Sequence, residues 1–494
     1  MANKYILSID QSTQGTKGLL FDSQGSLIKR CDIPHKQIID DQGYVEHNPN
    51  EILQNTVEVV KLVVESAEIN KDDIVGIGIS NQRETVVVWD RQTGEPIYNA
   101  IVWQCARGRD ITNRIERQNK GSLIRKRTGL HLSPYFSAAK ISWILENVEG
   151  AKEKSVKGEI CCGTIDSWLI FKLTGGKEFK TDYSNASRTQ LFNIEELTWD
   201  RKVCKLFGIN IETLPEVCDS NSYFGETDFN GYFSKPIPIH GVLGDSHAAL
   251  FAQGCFNKGM IKSTYGTGSS VMMNIGEKPI FSQRGLVTSL AWGMDGKVNY
   301  VLEGNINYTG AVITWLEKDL KLIKSPEETQ ALAEQANPID KTYLVPAFTG
   351  LGAPYWDSKA TGIITGITRT TGRAEVVRAA LDSIAYQITD IVMAMSKDSG
   401  IEIKELRVDG GPTKNSYLMQ FQSDMLRIPV QVANIEELSG TGAAYVAGIA
   451  LNLYEKEQIF SRIKRTKYES KMSSEEALKL YEGWKHAVSQ VLMC

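Results

Sequence analysis

Apolar positions in this chain fall into short strand-like runs that alternate with helical periodicities. Tyr5 to Ile9 reads as a buried strand ending at Asp10. The polar stretch Asp10-Gln-Ser-Thr-Gln-Gly-Thr-Lys17 separates it from a second strand, Gly18 to Phe21. The turn Asp22-Ser-Gln-Gly25 leads to a third, Ser26 to Cys31, and strands joined by short polar loops signal β-hairpins. Asn48-Pro-Asn50 then opens an amphipathic helix from about Pro49 to Ala67. Ile52, Val57, Val60, Leu62 and Val63 are its expected buried face. Ile74 to Ser80 and Thr85 to Asp90 are further strands, and the alternation continues to about Leu250, which predicts an α/β domain.

A related pattern restarts at Gly259. Met260 to Ser263 is a strand, Tyr265-Gly-Thr-Gly-Ser-Ser270 a polar turn, and Val271 to Asn274 a returning strand. A strand, polar turn, strand unit therefore opens each half, which suggests two related domains with a cleft between them. Glu375 to Ser396 reads as a long helix, with Val376, Val377, Ala380, Leu381, Ile384 and Ala385 inward. Leu406 to Asp409 is a strand running into Gly410-Gly411-Pro412, and Ser416 begins another helix. Lys464 to Lys471 reads as a solvated connector before a last helix, Ser474 to Leu492.

Length supports the division. A chain of 494 residues exceeds what one hydrophobic core serves, and the expected domains are 1–252 and 253–494. The composition, 42% hydrophobic and 23% charged, is that of an ordinary globular protein. A net charge of −4 sets up no field for nucleic acid or anionic lipid, so neither partner is expected. Cys31, Cys105, Cys161, Cys162, Cys204, Cys218, Cys255 and Cys494 form no CxxC pair and no zinc-spaced cluster, as in a reducing compartment. The N-terminus MANKYILSID has no signal-peptide core, and no apolar run approaches the roughly 18 residues of a membrane span. The expected location is the cytoplasm.

Three turns carry candidate chemistry. The loop from Asp10 to Lys17 offers hydroxyls, backbone amides and a cation to a terminal phosphate, and Asp10 can hold Mg²⁺ through water. It is not a P-loop, because GxxxxGK[ST] is absent. Tyr265 to Ser270 supplies similar donors without a cation, and Asp409-Gly410-Gly411 lets backbone approach a ligand closely. Each turn alone is weak, and a plain polar hairpin explains the first about as well. Together, at strand ends in two α/β halves, they describe nucleotide recognition.

Longer stretches carry a resemblance. Ser80-Asn-Gln-Arg-Glu-Thr85, Tyr98-Asn-Ala-Ile-Val-Trp-Gln-Cys105, Thr181-Asp-Tyr-Ser-Asn-Ala-Ser-Arg188 and Val345-Pro-Ala-Phe-Thr-Gly-Leu-Gly-Ala-Pro-Tyr-Trp-Asp357 resemble the FGGY carbohydrate kinases, nearest to the branch that phosphorylates glycerol. Tyr135 through Asn147 and Gly362 through Asp382 resemble the two family signatures, and the likeness runs over about residues 4 to 490. The fold it implies is α/β, two actin-like (ribonuclease H-like) ATPase domains with a cleft between them. The activity it implies is ATP- and Mg²⁺-dependent phosphorylation of a small polyol, glycerol to sn-glycerol 3-phosphate, by a homo-oligomer (dimer or tetramer). By the same resemblance Asp245 is the catalytic base, and Arg83, Glu84, Trp103, Tyr135 and Ser246 line the polyol site with it. Thr13, Gln14, Lys17 and Thr267 would meet phosphates, Gly310, Gly411 and Asn415 the nucleoside, and Asp10 the metal. Taken singly, Trp103 is more often a core aromatic, and Arg83-Glu84 is as often a surface ion pair.

The pattern also departs from the family. Ser246, in Gly244-Asp245-Ser246-His247, stands where these kinases usually carry Gln, and Ser270 where they carry Phe. Both are smaller, so the pocket would accept a tetritol, pentitol or ketopentose as the alternative substrate. His247 beside the base reads as a packed residue more readily than as a titrating partner. Asn230-Gly-Tyr-Phe-Ser-Lys235 replaces the Gly-Gly-x-Arg loop tied to fructose bisphosphate control, and the phosphorylated histidine of some relatives is absent. A reading of another class is a non-catalytic actin-like ATP-binding protein, which the retained Asp10, Asp245 and polyol residues oppose.

Overall fold

The computed structural model describes residues 4–357 and 359–492; Met1–Asn3 of the N-terminal reading and Cys494 lie outside them. Its strands form two large sheets of six and seven strands, a five-stranded sheet and three two-stranded ribbons among the described residues. The first half begins with β1 (Tyr5–Gln11), β2 (Gly15–Phe21) and β3 (Leu27–Pro34). Helix α1 (Pro49–Ser66) follows, capped by the Asn48 side chain, then β4 (Ile74–Asn81), β5 (Glu226–Thr227) and β6 (Ile237–Gly244). Helix α2 (Asp245–Ala252) leads to β7 (Ile261–Tyr265), β8 (Ser269–Gly276), β9 (Val287–Met294) and β10 (Lys297–Ile306). The second half also includes α3 (Arg373–Ser399), β11 (Leu406–Asp409), α4 (Ser416–Leu426), β12 (Val430–Ala433), α5 (Leu438–Ala450), β13 (Arg465–Tyr468) and α6 (Ser474–Leu492).

The sheets repeat one topology. The first has the order β3-β2-β1-β4-β6-β5, and the second β10-β8-β7-β11-β12-β13 with β9 added beyond β10. In each, three antiparallel strands meet two parallel ones and an antiparallel edge. Register completes the correspondence: Asp10 sits opposite Ser80 in the first sheet, and Thr264 opposite Asp409 in the second. The repeat that was faint in the letters is thus explicit in the strand pairing.

Two sequence expectations are corrected. Leu62 is 40% exposed, while Ile52, Thr56, Val59, Val60 and Val63 form the buried stripe of α1. At 100° per residue Leu62 points well off that stripe. The stretch 464–471 is no mere connector, because β13 pairs antiparallel with β12 and closes the second sheet as a lysine- and arginine-bearing edge.

Helices α2 and α5 lie between the sheets. Helix α5, although late in the chain, packs on β1, β4 and β6 and along α2. Glycine permits the approach: a Cβ at Gly442 would lie 2.0 Å from the Ala248 carbonyl oxygen, and one at Gly78 2.5 Å from that of Ala443. The chain therefore crosses from second half to first just before α5. The seven described cysteines are free, and no described helix is long and apolar enough to cross a membrane.

Candidate active site

The candidate residues converge where parallel strands end, the usual ligand edge of an open α/β sheet. Asp10 is near the end of β1, Arg83 and Glu84 follow β4, Asp245 follows β6, and Asp409 ends β11. Glu84 has φ +63°, a left-handed backbone that costs a non-glycine residue about 1–3 kcal/mol and turns the chain sharply after β4.

Arg83 is the hub. Its Nε donates to Asp245 Oδ1 at 3.1 Å, and its two terminal nitrogens donate to the Glu303 carboxylate at 3.0 and 2.9 Å. Glu303 also faces Arg188 at 2.7 Å, and Arg188 Nε donates to Glu84 at 2.6 Å. Two guanidiniums and two carboxylates are thus buried together with no net charge. The two arginines hold the Glu303 pKa far below the usual carboxylate range against the opposing effect of burial. Arg188 and Glu303 were missed in the sequence. The available signal for Glu303 was a lone carboxylate following the apolar run Tyr300-Val-Leu302 of the strand KVNYVLEGNI.

Asp245 is the open member, with a side chain 37% exposed. Its Oδ1 accepts from Arg83 and from the Ser246 N–H at 2.6 Å, and Oδ2 has no hydrogen bond among the described residues. Trp103 and Tyr135 meet edge to face with centroids 5.6 Å apart. Burial and the Glu84 charge raise the Tyr135 pKa, so its hydroxyl stays neutral. Lys140 donates to the carbonyls of Pro134, Tyr135 and Phe136 and fixes that turn. Ser246 is half-buried, and Ser270 Oγ lies 3.5 Å from Glu303 Oε1. His247 is fully buried with Nε2 3.4 Å from Ser289 Oγ, and burial with the Arg83 charge lowers its pKa and keeps it neutral.

The phosphate-side residues adjoin this cluster. Trp103 Nε1 donates to Thr13 Oγ1 at 2.9 Å, tying the aromatic wall to the first hairpin loop. Gln14 is exposed, and its carbonyl accepts from the His35 amide. Asp10 Oδ1 accepts from Ser80 at 2.7 Å, and Lys17 lies 3.4 Å from Oδ2. Burial raises the Asp10 pKa despite Lys17 and Ser80, with Glu437 and Asp245 adding to the rise. A buried carboxylate with Oδ1 held by Ser80 and Oδ2 only loosely by Lys17 suits a divalent cation completed by phosphate and water. No trio of His, Cys, Asp or Glu gathers around a common point among the described residues.

In the second half the Thr267 side chain is exposed while its carbonyl accepts from Thr309 and Ala311. A Cβ at Gly310 would lie 2.8 Å from the Gly266 oxygen, so glycine is required there for close packing. Gly411 is exposed. Asn415 caps α4 with its Oδ1 and donates from Nδ2 to Thr329 beside the loop.

Two lobes of one topology, with an open aspartate beside a buried arginine hub and two glycine- and hydroxyl-rich turns at their strand ends, suit a phosphotransferase acting on an alcohol group. Family comparison agrees. Residues 5–252 match the N-terminal domain of the FGGY family of carbohydrate kinases, and residues 261–451 the C-terminal domain. The chain belongs to the FGGY carbohydrate kinases and is an ATP-dependent enzyme of that family. It is 50% identical over 490 residues to glycerol kinase 1 of Thermotoga maritima and 48% identical over 491 residues to glycerol kinase 2 of the same organism, covering 99% of each chain. The crystal structure of Plasmodium falciparum glycerol kinase with ADP superposes with a TM-score of 0.93 at 38% identity, covering 99% of this chain and 98% of that one. Xylulose kinase of Lactobacillus acidophilus shares the fold, with a TM-score of 0.88 at 21% identity over 98% of this chain and 97% of that one.

Proposed function

We propose that this kinase transfers the terminal phosphoryl group of ATP to a primary hydroxyl of glycerol, giving sn-glycerol 3-phosphate and ADP, with Asp245 as base. The observation that carries the reading is the Arg83 hub, which fixes the base against a buried, charge-neutral quartet beside Tyr135 and Trp103. Vicinal hydroxyls each give and accept a hydrogen bond, and paired acid and base side chains answer both needs. Trp103 serves as the apolar wall for the carbon chain. Asp245 Oδ1 is held by Arg83 and the Ser246 amide, so Oδ2 remains to orient the attacking hydroxyl and take its proton.

Thr13, Lys17 and Thr267 bind phosphates from the two hairpin turns, and residues 310 and 411 border the nucleoside. Asp10 is the residue that would hold Mg²⁺, which when bound neutralises phosphate charge. Closure of 1–252 on 253–494 excludes water and limits idle ATP hydrolysis. A cytoplasmic homo-oligomer completes the reading.

A second reading is favoured by Ser246 and Ser270, whose short side chains leave room for a tetritol, pentitol or ketopentose. One experiment tests both: kcat/KM with Mg-ATP across glycerol, erythritol, threitol, the pentitols and the ketopentoses. A tenfold or larger preference for glycerol supports the first reading, and a preference for a longer substrate replaces it with the second.

A further inference from the structure

Strand β12 ends at Ala433 in the second sheet, and α5 begins at Leu438 against the first. The chain crosses between the halves in residues 434–437, and Glu437 is its last residue before α5. Its backbone sits at φ +56°, strained for a residue with a side chain. That conformation accompanies two contacts reaching into the first half. Glu437 Oε2 lies 2.5 Å from Lys17 Nζ on β2, and Oε1 pairs with Arg30 on β3. The Glu437 side chain is 13% exposed against 26% for Lys17 and 39% for Arg30, so the Lys17 contact is the better shielded from water of the two.

Lys17 has a second carboxylate within reach, but farther away. Asp10 Oδ2 is 3.4 Å from Nζ, while Asp10 Oδ1 is occupied by Ser80 at 2.7 Å. The ammonium is therefore drawn toward Glu437, and Asp10 Oδ2 keeps one weak partner. The charges around Lys17 come from three elements: Asp10 on β1, Arg30 on β3 and Glu437 at the crossover.

We propose that Glu437 is a positioning residue that holds the Lys17 ammonium off Asp10, keeping that carboxylate open to the divalent cation that accompanies the nucleotide. This rests on the reading of Asp10 as the metal-side carboxylate. Once the Glu437 charge is removed, Asp10 is the one carboxylate left to Lys17 among the described residues, and ammonium and metal compete for one oxygen. Because the holding group sits at the crossover, the link also ties the first phosphate loop to the relative placement of the halves.

The test is Glu437→Gln, which keeps the shape and removes the charge. Mn²⁺ binding with ADP present, read by electron paramagnetic resonance, weakens about tenfold, equivalent to about 1.4 kcal/mol. ADP binding without metal stays within about twofold, the half-saturating Mg²⁺ for turnover rises in step, and kcat recovers at high Mg²⁺. The double variant Lys17→Met/Glu437→Gln, measured with its nucleotide site saturated by ADP, regains Mn²⁺ affinity, because the competing cation is gone. Unchanged Mn²⁺ affinity in Glu437→Gln, or a loss of turnover that excess metal does not restore, overturns the proposal. An Asp10→Asn control separates the failures. If it binds Mn²⁺ with ADP as the unaltered enzyme does, the reading of Asp10 falls and the proposal with it. If it loses binding while Glu437→Gln does not, only the role of Glu437 falls.

Discussion

Glu303→Gln removes one charge from the quartet without changing its shape. Glu303 is fully buried, takes two hydrogen bonds from Arg83 and faces Arg188 at 2.7 Å. The variant leaves two buried guanidiniums against Glu84, with partly exposed Asp245 as the remaining counter-charge. Breaking a buried pair by removing one partner costs roughly 3–5 kcal/mol, because the surviving charge stays desolvated. The expected loss of unfolding free energy is therefore about 3–5 kcal/mol, measured by urea denaturation of the unliganded enzyme. Arg188→Met alone should cost a similar amount, since it strands the opposite charge. The double variant removes both members of the Arg188–Glu303 pair, so neither is left stranded by the loss of the other, and Arg83 keeps its bond to Asp245. Its cost should fall short of the sum by at least about 2 kcal/mol, within the range of coupling between contacting residues. Additive costs, or a single-variant loss below about 1 kcal/mol, would refute the claim that the quartet is held together by charge balance.

Other expectations follow from single contacts. Burial and His35 hold the His47 pKa down at about 3. The folded state therefore stays unprotonated while the unfolded chain takes up a proton at its ordinary value near 6.5. Stability present above that value is lost as pH falls toward 3, by about 2 kcal/mol between pH 7 and 5. Replacing His47 with Asn should flatten the acid limb of a stability-against-pH series by that amount, and an unchanged slope would count against it. Trp103→Phe deletes the bond to Thr13 that joins the acceptor wall to the phosphate loop. Its loss, about 1 kcal/mol, should raise both acceptor KM and ATP KM up to about fivefold in initial-rate measurements. Gly442→Ala forces a Cβ to within 2.0 Å of the Ala248 oxygen. It should cost about 1–3 kcal/mol in urea denaturation through separation of α5 from α2, whereas a neutral result would mean that the contact is not tight.

Local signals made much of the fold legible. The hairpin of β1 and β2, the Asn48-capped α1 and the long α3 follow from alternation, capping and helical periodicity, which neighbouring residues write together. Leu62 was misplaced because apolar character was counted without its angle on the helix. Strand β13 was missed because edge strands carry the charges that also mark connectors. The candidate site divides in the same way. Asp10 and Thr13 belong to the first polar hairpin, whose chemistry is visible in the letters, whereas Arg83 and Asp245 stand out only through the family resemblance. Arg188 and Glu303 lie 115 positions apart and acquire their meaning only when the halves assemble. Glu437 was hidden for the same reason, since its partners Lys17 and Arg30 lie some 400 residues earlier.

The central claim is that Asp245 takes the proton of a polyol hydroxyl as ATP is cleaved. Its most direct test is ADP release with glycerol and Mg-ATP in the unaltered enzyme and in Asp245→Asn, with phosphorus NMR of the product. The account predicts sn-glycerol 3-phosphate from the unaltered enzyme. In Asp245→Asn it predicts a turnover loss beyond the roughly 10²–10⁴-fold typical of general acid–base catalysis, because orientation of the hydroxyl is lost too, while nucleotide still binds. Turnover within tenfold of the unaltered enzyme in Asp245→Asn would contradict it.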